Sequence, residues 1–188
     1  MSGPVHLTGE PLALDLVNTH PSVGDLLTGP DELRAWLLLE ADRSPEAREF
    51  AAAELTDAAL EAVRGVRAHT AHALDRVRRG ERPPSGALDA LTRAQGAAPA
   101  VRELHWNGTT VTATRRRTGP TVAQLTAWLA EAAADLLTDP SVATVRQCAA
   151  EDCVLLFLPA HPRRRWCSAA RCGNRVRVAR HYRRHRSA

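Results

Sequence analysis

Apolar positions recur at helical spacing through most of the first 140 residues of this 188-residue chain, and beyond that point the rhythm breaks. LALDLVN, residues 12–18, is an apolar segment with Asp15 and Asn18 embedded in it, and it predicts a helix entering the core. Asp31 and Glu32 open a second segment in which Leu33, Trp36 and Leu37 share one helical face. The spacing then predicts one long helix. Ser44 can cap it, Pro45 suits its first turn, and Leu55, Ala59, Val63, Val66, Thr70 and Val77 recur at three-to-four intervals or their multiple. RRGERPPSG, residues 78–86, should end it, and a short helix around Leu88–Gln95 follows.

Between residues 101 and 117 the period drops toward two. Asn107-Gly108 lies between strand-like segments rich in Val and Thr, which predicts a hairpin closed by a type I′ turn, because both residues tolerate positive φ. Val122, Leu125, Leu129, Ala132 and Leu136 then build another amphipathic helix, stopped at Asp139-Pro140. The fold class expected is mainly α, within α+β: a helical domain with one hairpin over residues 1–140, and a small second domain over 141–188.

Charge sharpens that boundary. All 25 basic residues are arginine, a bias that coding preference alone can produce, so position is more informative than number. Residues 1–145 hold 14 arginines against 19 acids, whereas residues 146–188 hold 11 against 2. A basic tail on an acidic body is the electrostatic footprint of a polyanion partner. The amino terminus lacks the pattern of a signal peptide, and no apolar run approaches the ~20 residues of a membrane span, so a cytoplasmic protein with no membrane partner is expected.

Four cysteines sit inside this basic tail: Cys148, Cys153, Cys167 and Cys172, as C-x4-C, thirteen residues, then C-x4-C. In a reducing compartment such a cluster points to metal ligation ahead of disulfides. Four thiolates complete the tetrahedral set of one structural Zn2+ and leave no coordination position for an attacking water, so the metal is expected to fold the tail and not to catalyse. The order expected is strand, knuckle, strand, knuckle, helix, as in a ribbon or treble-clef finger. No Ser-His-Asp order, phosphate loop or paired-carboxylate signature emerges elsewhere, so no catalytic residues and no enzyme are expected.

At 100° per residue from Arg175, Val176, Val178, Ala179 and Tyr182 fall on one arc, with Arg177, Arg180 and Arg184 opposite and His181 flanking them. The apolar arc is expected to pack on the zinc module and the basic face to follow phosphates, joined by Arg163, Arg164 and Arg165. Arg175 lies nearer the apolar arc, as a brace. Within the second knuckle, Gly173 is expected to permit a sharp turn, and Asn174 to cap the helix or bond a ligand sulfur. Asp15 and Asn18 admit two readings, satisfaction by backbone groups or the polar floor of a small-molecule pocket.

WCSAARCGNR with its upstream C-x4-C and arginine-rich helix resembles the CGNR zinc finger, and LALDLVNT resembles the opening of the ABATE domain that precedes that finger. Together the resemblances span essentially the whole chain. They imply a stress-related transcription regulator with a predominantly helical amino-terminal domain, zinc on Cys148, Cys153, Cys167 and Cys172, and nucleic acid as partner. The sequence departs from the family pattern where LFLPAHP has Pro159 and His161 in place of an acid. The reading favoured is a one-component regulator in which the helical domain dimerises or senses a small effector and the finger binds DNA. RNA binding and a zinc-dependent protein-interaction module stand as alternatives.

Overall fold

The computed structural model describes residues 9–186, with the side chains at 180, 181 and 183–186 outside that description. It is mostly helical, with a two-stranded hairpin and a carboxy-terminal cysteine cluster, consistent with α+β. The body contains α1 (Leu12–Val17), α2 (Pro30–Glu40), α3 (Pro45–Ala52), α4 (Asp57–Val77), α5 (Ser85–Ala97), the hairpin β1 (Val101–Trp106) and β2 (Val111–Arg116), and α6 (Thr121–Thr138). A 3-10 turn, Pro140–Thr144, leads into β3 (Arg146–Gln147), β4 (Leu156–Phe157), a π-helical turn at Ala169–Gly173 and α7 (Asn174–Arg186).

Helices α4, α5 and α6 pack against one another, and short α1 wedges against α4 and α6. Buried Ala13, Leu14, Asp15 and Leu16 cover most of the circumference of α1, as expected of a helix enclosed by its neighbours. Leu14, Leu16, Leu33, Trp36, Leu37, Val63, Leu74, Leu125 and Leu129 form the centre of the core. Val142, Val145 and Leu156 belong to that same cluster, so the segment entering the finger shares the body's apolar interior.

Two expectations change here. The long helix over residues 45–77 is two helices, because Ala53 leaves helical geometry and Thr56 caps α4, its hydroxyl accepting from the Ala59 amide at 3.3 Å. The apolar period runs through this break, from Ala47, Phe50 and Ala51 to Leu55, Ala59 and Val63. The hairpin forms, but Trp106 pairs with Val111, which leaves a four-residue loop. Only Gly108 in it has positive φ; Asn107 instead accepts the Thr109 and Thr110 amides on Oδ1, at 3.0 and 2.9 Å, so an Asx turn replaces the type I′ turn.

Candidate metal centre and basic helix

The first knuckle grows out of the short β3–β4 ladder. Gln147 pairs with Leu156, and the Cys148 amide donates to the Leu155 carbonyl at 2.9 Å. Asp152, at φ 64°, supplies the left-handed residue that lets the chain return to Cys153, whose amide donates to Ala150 at 3.2 Å. The second knuckle begins at Cys167. Ser168 caps the π-helical turn by accepting from the Arg171 amide at 3.3 Å, and that turn delivers Cys172 and continues into α7.

The four sulfurs all lie within 4.8 Å of one another. Cys153 and Cys167 Sγ are 3.9 Å apart, and Cys167 and Cys172 Sγ 3.5 Å. All four cysteines are free, and these separations far exceed the ~2.05 Å of a disulfide. They match the ~3.8 Å edge of a tetrahedron with Zn–S bonds of ~2.3 Å, so the donor set fits zinc in number, chemistry and spacing. The cluster is therefore built to hold a metal ion.

Electrostatics make the same point. Burial, together with the neighbouring Cys148 and Cys172 sulfurs, pushes the Cys153 thiol up to about 11, despite an opposing hydrogen bond from the Leu155 amide. Burial and the adjacent sulfurs also raise Cys167. At Cys148 burial again opposes the thiolate, but hydrogen bonds from the Cys167 and Ala150 amides outweigh it and hold the thiol below its ordinary value. Four thiolates this close stay ionised together only around a cation, which a divalent ion supplies.

Trp166, half-buried, closes the centre from one side with Cys148, Ala150, Cys172 and Val176. Gly173 lies under its ring. That residue is buried and its φ is not positive, so the expected sharp turn is not the reason for glycine, and a Cβ there would meet the indole at 3.4 Å, an ordinary van der Waals contact. Asn174 has helical dihedrals, φ −66° and ψ −46°, in continuation of the preceding turn, so it is not an N-cap, and Ser168 does the capping instead.

The arginines divide into two groups. Arg164 points inward: its guanidinium lies 4.5 Å from the Phe157 ring centroid, pairs with Glu10 and donates to the carbonyls of Leu158, Trp166 and Cys167. Its expected place on the phosphate-facing surface is corrected, since these partners occupy the cation. Glu10, which the sequence reading missed, supplies from the body the acid that LFLPAHP lacks, and its other oxygen accepts the Leu158 amide at 2.8 Å. Arg146 donates to Pro162 at 2.9 Å, and Arg175 to the Glu151 carbonyl at 3.0 Å, so Arg175 braces the two knuckles as expected.

Arg163, Arg165 and Arg177 are exposed, with Arg165 5.9 Å over the Trp166 ring. The side chains of Arg180, His181 and Arg184 lie outside the described residues. The apolar arc of α7 departs from expectation. Val176 packs against the metal centre, but Val178, Ala179 and Tyr182 are exposed, because α7 packs chiefly on the turn before it and extends away from the body.

Asp15 and Asn18 follow the backbone reading. Asp15 accepts the amides of Gly9 and Glu10, at 2.9 and 3.2 Å, and pairs with Arg43 at 2.6 Å. Asn18 donates to the Leu156 carbonyl at 2.9 Å and accepts the Leu156 amide at 2.8 Å, taking the place of a neighbouring strand for β4. The polar atoms of both are thus bonded to protein groups, and Asn18 in addition lines the cleft that runs between α1 and the first knuckle.

Family comparisons agree with this layout. The family described as "Putative stress-induced transcription regulator", ABATE, matches residues 10–140, and the CGNR zinc finger matches residues 144–185. No curated protein matches the chain. Among the described residues, no helix is long and apolar enough to cross a membrane.

Proposed function

The chain belongs to the ABATE family and ends in a CGNR zinc finger, and from that premise we propose that it is a non-catalytic regulator that binds DNA through the finger's basic surface. The observation that carries the reading is the division of labour among the arginines. Half-buried Arg164 is occupied by Glu10 and backbone carbonyls, Arg146 and Arg175 lie at the surface but each donates to a carbonyl of the finger, and Arg163, Arg165 and Arg177 are exposed around the start of α7. Exposed guanidiniums on a rigid, metal-fixed platform can neutralise phosphates at fixed positions. Four sulfur ligands fill a tetrahedral ion, so the metal's part is to hold that platform.

Titration of a genomic DNA pool against salt tests it. Binding should weaken steeply with salt, and Arg177→Ala should lower the log-log slope by ~0.9 if its guanidinium neutralises one phosphate of a duplex. Arg164→Ala should lower stability and leave the slope unchanged. Absence of binding at low salt by the zinc-loaded protein would overturn the reading, and structured RNA that outcompetes duplex DNA would move it to RNA.

A further inference from the structure

The β1–β2 hairpin is exposed along both strands and on both faces. Two strands alone are marginal in water, and an open edge is a template for further pairing. Alternation places Arg102, Leu104 and Trp106 on one face, beside Arg115, Ala113 and Val111 across the ladder. Leu104, Trp106 and Val111 are 71%, 67% and 65% exposed, so this face sets three large apolar side chains in solvent beyond Arg102 and Arg115. Arg115 and Arg117 tie the base of the hairpin to Glu131 of α6, while its tip stands clear of the body.

The hydrogen-bonding phase shows what the open edge offers. Antiparallel ladders alternate between pairs that exchange both bonds and pairs that exchange none. The Asn107 amide donates to the Thr110 carbonyl, so the bonded pairs below it are His105 with Thr112, Glu103 with Thr114, and Val101 with Arg116. The amides and carbonyls of Arg102, Leu104 and Trp106 therefore point away from β2, toward the free edge.

We propose that β1 pairs antiparallel with β1 of a second copy of this chain, across a twofold axis at Leu104, joining the two hairpins into one four-stranded sheet. A twofold perpendicular to a sheet keeps each face on its own side, so it must pass through a residue and not between two. Among the positions open to that axis, only Leu104 pairs all three outward-pointing residues, 102, 104 and 106, with one another. The register then sets Leu104 against the partner's Leu104, Arg102 against the partner's Trp106, and Glu103 against the partner's His105.

These pairs are complementary. Within its own hairpin Arg102 faces Arg115, a like charge, whereas the partner's Trp106 offers it an aromatic face. Glu103, 3.4 Å from Arg116, gains an imidazole that is itself bonded to Thr114 at 2.9 Å. The outer edge of β2 has only Ala113 at the equivalent centre, with Arg115 held back by Glu131. This pairing does not depend on the DNA reading; with it, a dimer would present two basic helices related by a twofold, the arrangement that reads a palindromic site.

Sedimentation equilibrium of the full, zinc-loaded chain tests the proposal. An interface this small implies a dimer of roughly micromolar to tens-of-micromolar dissociation constant, so loading concentrations should reach about 200 µM. The mass should climb from 20.4 kDa toward twice that value with concentration. Leu104→Lys alone and Leu104→Glu alone should each stay monomeric, because each sets like charges against each other at the axis. An equimolar mixture of the two should recover the dimer, which excludes misfolding as the cause of the loss. A wild-type chain that remains monomeric, a dimer that survives Leu104→Lys, or a mixture that fails to associate would each overturn the proposal.

Discussion

Asp15 and Glu40 are carboxyl groups buried inside the body. Glu40 is 1% exposed, its Oε1 has no hydrogen-bond partner, and Arg43 reaches its Oε2 only at 3.4 Å. Burial, and then the charge on Asp15, raise its carboxyl to about 7. Burial likewise lifts Asp15 to about 6, although Arg43 and the Gly9 and Glu10 amides pull the other way. Both folded values exceed the usual 4.5 and 3.8, so the native state holds protons that the unfolded chain releases. Stability from the pair is therefore complete below about 4 and is lost as pH rises through 6 to 7. Glu40→Gln, an isostere of the protonated acid, should remove most of that loss. Thermal melts from pH 5 to 8 should show the variant gaining on wild type toward high pH, by up to about 3 kcal/mol. Parallel curves would mean that Glu40 is not the titrating group.

Most elements were legible because each carries its own periodicity or punctuation. Leu33, Trp36 and Leu37 mark α2, and Asp139-Pro140 ends α6, by local rules that need no tertiary partner. The cysteine spacing disclosed the metal centre for the same reason. What stayed hidden was settled between distant segments. The break before Thr56 sits inside an unbroken apolar period, and nothing near Glu10 announces that it will pair with Arg164, 154 residues away. Asn18 is the strongest such case. Its side-chain amide completes the ladder of β4, a two-residue strand 138 residues downstream, while its backbone N–H closes α1 on the Leu14 carbonyl. Asn18→Ala leaves the Leu156 amide and carbonyl buried without partners, which should cost about 1–3 kcal/mol. Urea unfolding would measure that loss, and hydrogen exchange at the Leu156 amide should accelerate selectively. Unchanged protection at Leu156 would show that β4 does not rely on Asn18.

At the scale of the whole molecule, the body and the finger are joined by more than a linker. Val142, Val145 and Leu156 lie in the body's core, Glu10 grips Arg164 beside the second knuckle, and Ser22 donates to the Asp152 carbonyl in the first at 2.6 Å. The metal centre, by contrast, has only a thin cluster of its own around Trp166 and Val176, too small to hold the knuckles without a cross-link. Metal removal should therefore act at two levels. A strong chelator should release one zinc per chain and open the segment from Arg163 through Arg171 to trypsin, while α1 to α6 keep most of the helical circular dichroism. The melting temperature of the body should also fall, because opening the knuckles frees β4 and uncovers the side of α1 that Leu156 seals. A body that melts at the same temperature with and without metal would show that the shared core contributes little, and the finger would then be an independent appendage. A fall that Asn18→Ala reproduces in the zinc-loaded protein, with the knuckles still resistant to trypsin, would locate the coupling at the contact between α1 and β4.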